Sequence, residues 1–251
     1  MSLDTGTTVL SFRGEAALKA IHVAQAERHA AADMLVAGTF GDADAGQFRG
    51  CSVGCFAHEI EPTTDANWHE VVASARGLPV WLIRLQDSMF EGLPLNDRAS
   101  FHVDLAKRIP VGVDLEPVQH WIAISRIDRQ ISALTTLLAA NHGHGVHEAI
   151  EGVIAALVVG RRAHESAAGG NACDLASAWS AAWSAAWSAA RSAAWSAAWS
   201  AAWSAARSAA WSAAESAESA ARSAAWCSER DALFAALERA AALLNNQIYG
   251  E

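Results

Sequence analysis

From about Ala178 to Trp226 the chain repeats the tetrad Trp-Ser-Ala-Ala, and the period of that repeat constrains the fold more than any other feature. Alanine is the best helix former and serine costs only a few tenths of a kcal/mol per position. With no glycine or proline to interrupt it, the segment is predicted to be helical. Four residues rotate an α-helix by about 400°, so each tryptophan falls about 40° beyond the last and the stripe circles the helix in about nine repeats. A straight helix cannot bury such a stripe on one face. The segment is therefore expected to coil right-handedly around neighbours, to break into shorter helices, or to unwind locally. Arg191 and Arg207 replace tryptophan where the drifting stripe comes round to water, and the three-residue step from Glu215 to Glu218 resets the phase. Large indole rings on a thin alanine background favour burial. We expect most of them to pack on the preceding part of the chain or on a second copy, so the expected partner is intramolecular or self.

Other functions are narrowed by charge and composition. Asp and Glu number 27 against 18 Lys and Arg, a net charge of −9, which argues against non-specific nucleic-acid binding. The opening MSLDTGTTVLSFRGE lacks the basic start and apolar core of a secretion signal, and four cysteines are too few for a disulfide scaffold. A cytoplasmic protein with reduced thiols is expected. The uncharged stretch Leu175 to Ala190 is shorter than a membrane span and carries a serine every fourth residue, so no span is expected.

Apolar periodicity over Glu15–Ala37 (Leu18, Ile21, Val23, Leu35) predicts a helix stopped by Gly38. Residues 38–67 read as a long irregular segment rich in glycine, with room for a small hairpin around 38–56. Helices follow at Ala66–Arg76, from Pro79 to Gly92, at Asp97–Arg108, from Val113 or Asp114 to Ala140, and at Val146–Ser166. Gly169-Gly170-Asn171 reads as a joint, and Glu229–Gln247 as an ordinary amphipathic helix. The fold class is all-α. A helical globular domain over residues 1–168 carries the glycine-rich Cys/His loop, and the Ala/Trp-rich helical repeat with its C-terminal helix fills residues 169–251.

Chemistry concentrates in RGCSVGCFAHE. Cys51, Cys55, His58 and His69 follow the pattern C-x3-C-x2-H-x10-H. Cysteine pairs two to four residues apart suit zinc, although no established finger spacing is matched. No cofactor is predicted outright; zinc is the ion this loop would take. Alternatively, Cys51 or Cys55 is a nucleophile with His58 or His69 as base, and the glycines leave backbone N–H groups for an oxyanion. In a third reading both cysteines are small buried apolar residues in a tight turn. Asp87 and Glu91 lie four apart on one helical face, as a solvated pair or as carboxylates that hold a ligand or orient a histidine. His142, His144 and His147 form a second cluster at a helix joint, read as a turn and helix start.

Taken in order, RHAAADMLVAGTF, GCSVGC, GLPVWLIRLQDSMFEGLP and IPVGVDL before an alanine-rich tail resemble a family of bacterial and bacteriophage proteins with no assigned activity. That family carries a GC-x-VGC segment, a GIP…FEGLP helix and an alanine-rich repeat. The resemblance spans most of residues 13–226. It implies that Cys51, Cys55, His58, Asp87, Phe90 and Glu91 are the places to look, and it admits a role in a phage or mobile element that touches the host. Gln86 stands where the family would have an acidic residue. The function expected is a non-catalytic binding or interaction protein with a small-molecule pocket at the Cys/His loop, formed by His69, Asp87, Phe90 and Glu91. A cysteine-dependent hydrolase or transferase, and a structural zinc protein, are the alternatives.

Overall fold

The computed structural model describes residues 10–44, 47–62, 67–139, 144–171 and 207–249. Among these the fold is all-α, as expected, with one very small hairpin: α1 (Ala16–Ala31), β1 (Asp42–Asp44), β2 (Gln47–Arg49), α2 (Ser52–Ile60), α3 (Trp68–Arg76), α4 (Val80–Gly92), α5 (Leu95–Arg108), α6 (Glu116–Ala139), α7 (His144–Ala168) and α8 (Arg207–Tyr249). The chain divides into two compact units, residues 1–116 with 221–251, and residues 117–220. Gly169 and Gly170, the expected joint, follow the end of α7. No described helix is long and apolar enough to cross a membrane.

In the first unit α1 lies along α5, and α2 is packed against both α3 and α4. Phe56, Leu82, Ile83, Met89, Phe90, Phe101, Leu105 and Leu233 form its fully enclosed apolar core. Each such side chain contributes roughly 1.5–3 kcal/mol by leaving water. The face of α1 turned to this core is not the one its apolar residues suggest. His22, Gln25, Ala26 and His29 are buried, whereas Ile21 is 52% exposed.

α1 also ends six residues early. Asp33 takes a left-handed φ of 52°, and Met34–Val36 leave the helix to pair with Gly50 through Gly50 N–H to Met34 O (2.9 Å) and Val36 N–H to Gly50 O (2.8 Å). The hairpin β1–β2 pairs Asp42 with Arg49, inside the stretch where sequence left room for one. Within the stretch expected to be irregular, however, α2 occupies Ser52–Ile60. Asn67 caps α3 by accepting from His69 N–H at 3.0 Å, and Gly77, with φ 61°, closes it.

The segment just before α1 is wedged between two distant parts of the same unit. Phe12, fully buried, and Arg13 adopt left-handed φ values of 53° and 52°. Phe12 N–H reaches Gly77 O (3.0 Å) and Ser11 N–H reaches Val113 O (2.9 Å). Ser11 Oγ donates to Pro110 O (2.6 Å) and accepts from Val113 N–H (3.0 Å). Removing one partner of a buried hydrogen bond strands the other. Ser11→Ala is therefore expected to cost about 1–3 kcal/mol, read as a lower urea midpoint; a change below about 0.5 kcal/mol would show that the wedge is not a structural tie.

α8 runs unbroken through Glu215 and Glu218 into the segment expected to be a separate amphipathic helix. Its later turns belong to the first unit. Phe234 stacks on Phe101 at 6.1 Å, the Arg108 guanidinium lies 4.6 Å from the Phe234 ring, and Arg230 pairs with Asp97 at 3.4 Å. Trp226 lies so close over Gly92 that a Cβ there would be 2.0 Å from the indole. The repeat tryptophans before residue 207 lie outside the described residues, so the expectations of supercoiling, breakage and general burial concern a segment not described.

In the second unit, Arg161 of α7 meets Asp128 of α6 at 2.6 Å, and His164 Nδ1 lies 3.1 Å from His120 Nδ1. His142 of the second histidine cluster is outside the described residues; His144 begins α7, and His147 approaches Glu151 at 3.9 Å.

Candidate metal centre

Three helices, α2, α3 and α4, bring side chains to one place at the start of α2. Cys51 caps that helix, its Sγ accepting from Gly54 N–H at 3.3 Å, and is 2% exposed. The incoming backbone is held by Cys51 N–H to Thr39 O at 3.0 Å. On α4, Asp87 and Glu91 are one turn apart and so point the same way. Glu91 Oε2 accepts from Gly38 N–H at 2.8 Å, which ties α4 to the segment preceding β1. Cys51 Sγ and one carboxylate oxygen each of Asp87 and Glu91 lie within 4.8 Å of one another, a mixed thiol and carboxylate set able to hold a metal ion.

His69, on α3, completes the surroundings. Its Nε2 is 3.1 Å from Asp87 Oδ2 and its Nδ1 is 3.1 Å from Asn67 Oδ1. The Asn67 oxygen already accepts the His69 backbone N–H, which fixes it as an acceptor. A neutral imidazole has one hydrogen for these two acceptor oxygens, and the Asp87 carboxylate is the stronger acceptor of the pair. Asp87 Oδ1 is buried without a hydrogen-bond partner. Burial, followed by the Asp87 charge, pushes the Cys51 thiol up to about 12.

Behind this cluster runs a buried polar chain. Glu59 Oε1 is 2.9 Å from His29 Nε2, His29 Nδ1 is 3.4 Å from His102 Nε2, and His102 Nδ1 is 2.8 Å from Ser52 Oγ. Gln86 Nε2 donates to Ser52 Oγ at 2.6 Å. His29, Ser52 and His102 are fully enclosed, and Gln86 is 1% exposed. Burial lowers the His102 pKa well below the ordinary imidazole value; it also lowers that of His29, against a partial upward pull from Glu59. His22 stands beside the chain, stacked on Phe56 at 4.2 Å, and burial takes it down to about 3.

Of the residues singled out from sequence, Cys51, Asp87 and Glu91 meet, and His69 touches that set through Asp87. The others go elsewhere. Cys55 Sγ faces Met34 O and Gly50 O at 3.5 Å, and burial pushes its thiol up to about 11. His58 stacks on Phe48 at 3.9 Å, and Phe90 is a fully enclosed core residue with Arg98 over its ring. Among the described residues no histidine hydrogen-bonds either Cys51 or Cys55. An activated thiol has its pKa lowered beneath roughly 8.5, whereas burial moves both of these the opposite way. Both cysteines are enclosed, Cys51 at 2% and Cys55 at 0% exposure. A cavity of about 590 Å³ does lie nearby in sequence terms, between Leu35–Ala37, Arg49, Leu95 and Arg98, but Asp87 and Phe90 are not in its wall.

Sequence reasoning missed His29, Ser52, Glu59, Gln86 and His102. One signal was present: His22, Gln25 and His29 recur at the spacing of a single helical face. No protein-family model, curated protein or solved structure matches the chain.

Proposed function

We propose that this chain is a zinc-binding protein whose ion sits between α2, α3 and α4, held by Cys51, Asp87 and Glu91 with His69 as fourth ligand. The observation that carries this reading is the convergence of the Cys51, Asp87 and Glu91 donor atoms within 4.8 Å. Tetrahedral zinc with bonds of about 2.0–2.3 Å sets its ligand atoms roughly 3.3–3.7 Å apart, so the Cys51, Asp87 and Glu91 donors close on an ion with side-chain shifts of about an ångström. The Nε2 to Oδ2 gap of 3.1 Å is close to one edge of such a tetrahedron. With the ion bound, Nε2 is the ligand atom and the ring hydrogen sits on Nδ1. His69 meets the usual requirement that a ligating imidazole donate its other N–H to an oxygen, here Asn67 Oδ1. A donor set of one sulfur, one nitrogen and carboxylate oxygens favours zinc over magnesium or calcium, which take oxygen alone.

The test is direct. Chelator-treated protein is titrated with Zn²⁺ against a chromophoric competitor, and bound metal is counted by elemental analysis. One ion per chain is expected, with a thiolate-to-metal charge-transfer band when Co²⁺ is substituted. Cys51→Ala should abolish that band, and Asp87→Asn should weaken affinity beyond the roughly 10–100-fold typical of outer partners. Sub-stoichiometric zinc in the parent protein, or full affinity in Cys51→Ala, would remove the proposal.

A further inference from the structure

We infer that the buried chain Glu59–His29–His102–Ser52–Gln86 is the positioning device of the metal centre, a claim that rests on the metal reading above. Ser52 follows Cys51 in the first turn of α2, and Gln86 precedes Asp87 on α4. The 2.6 Å bond from Gln86 Nε2 to Ser52 Oγ therefore stitches the two helices together one residue away from a ligand on each side. It fixes the span that Cys51 and Asp87 must bridge.

The stitch has one polarity, and Glu59 sets it. Glu59 is paired with Arg28 at 2.8 Å and acts as an ionised acceptor, so His29 Nε2 must carry the hydrogen that points to it. His29 Nδ1 is then a lone pair and accepts from His102 Nε2–H. His102 Nδ1 is left as an acceptor and takes the Ser52 hydroxyl hydrogen. The Ser52 oxygen, with its hydrogen committed, accepts from Gln86. Each link dictates the next, because a neutral imidazole has one donor and one acceptor nitrogen. Burial keeps both imidazoles neutral, which preserves this order. A carboxylate on the far end of α2 thus orients groups beside the ion without touching any ligand.

The test uses the full chain, metal-stripped and then titrated with Zn²⁺ and Co²⁺. Ser52→Ala and Gln86→Met are expected to bind zinc about 10–100-fold more weakly than the parent, with displaced cobalt d–d bands that report altered geometry. Glu59→Ala, a partly exposed position that should fold normally, is expected to weaken binding several-fold. His22→Leu changes an equally buried histidine outside the chain and should leave affinity and spectrum unchanged. Parent-like affinity and cobalt bands in Ser52→Ala, Gln86→Met and Glu59→Ala would overturn the inference, as would an equal loss in His22→Leu. If either buried variant fails to fold, Glu59→Ala decides. Failure of the parent itself to bind zinc would instead remove the metal reading, and this inference with it.

Discussion

Gly54→Ala is expected to destabilise the protein by about 3 kcal/mol or more, beyond ordinary overpacking, and to disable zinc binding. Gly54 is the third residue of α2, and alanine in a helix would normally gain up to about 1 kcal/mol of propensity over glycine. Here the sign reverses, because a Cβ at Gly54 would stand 1.7 Å from the Phe40 carbonyl oxygen and 3.0 Å from the Trp68 ring. The first obstacle is backbone and cannot rotate aside. Relief requires the Thr39–Gly41 segment to lift, which takes with it the Thr39 carbonyl that holds Cys51 N–H and loosens Gly38, whose N–H holds Glu91. Urea unfolding read alongside zinc titration checks both effects. A variant within about 1 kcal/mol of the parent and with intact affinity would mean that the segment yields freely.

Acid is expected to unfold the first unit well before its carboxylates are neutralised. His22, held down to about 3, and His102, held well below its ordinary value, are both kept neutral first of all by burial. In the unfolded chain an imidazole titrates near 6.5. Above that pH neither state takes the extra proton and stability is complete. Below it the unfolded chain binds protons that the native core refuses, so stability falls as pH falls from about 6.5 towards 3. Each such imidazole costs close to 1.4 kcal/mol per pH unit in that range, and two of them remove about 2.5 kcal/mol between pH 7 and 5.5. His29 adds less, since Glu59 pulls part of its shift back. Urea midpoints at successive pH values measure the slope, and His22→Leu should remove about half of it. Stability that is flat from pH 7 to 5.5 would contradict the neutral core.

Periodicity and punctuation made much of the fold readable. Gly77, the Gly92–Pro94 pair and Gly169–Gly170 fall where helices end, and α3, α4 and α5 begin within about two residues of where patterning puts them. α2 was hidden by its own requirement. Gly50 and Gly54 read as loop residues, yet they are glycine because the Phe40 carbonyl passes within 2.4 and 1.7 Å of where their side chains would be. Periodicity makes α1 legible as a helix but not its buried face, since the core there takes imidazoles in place of aliphatic groups. For the same reason the site was only half legible. Cys51, His69, Asp87 and Glu91 could be named as candidates, but the approach of Cys51 to the two carboxylates depends on α2. The chain behind them depends on His29, His102 and Glu59, which come from three helices.

The first unit is interrupted. Its chain leaves at residue 116 and returns at 221, and the returning stretch supplies Leu233 and Leu237 to the core. The segment that completes this core therefore follows the whole second unit in sequence, so a chain cut before residue 221 lacks both leucines and is expected to leave the first unit open where they pack.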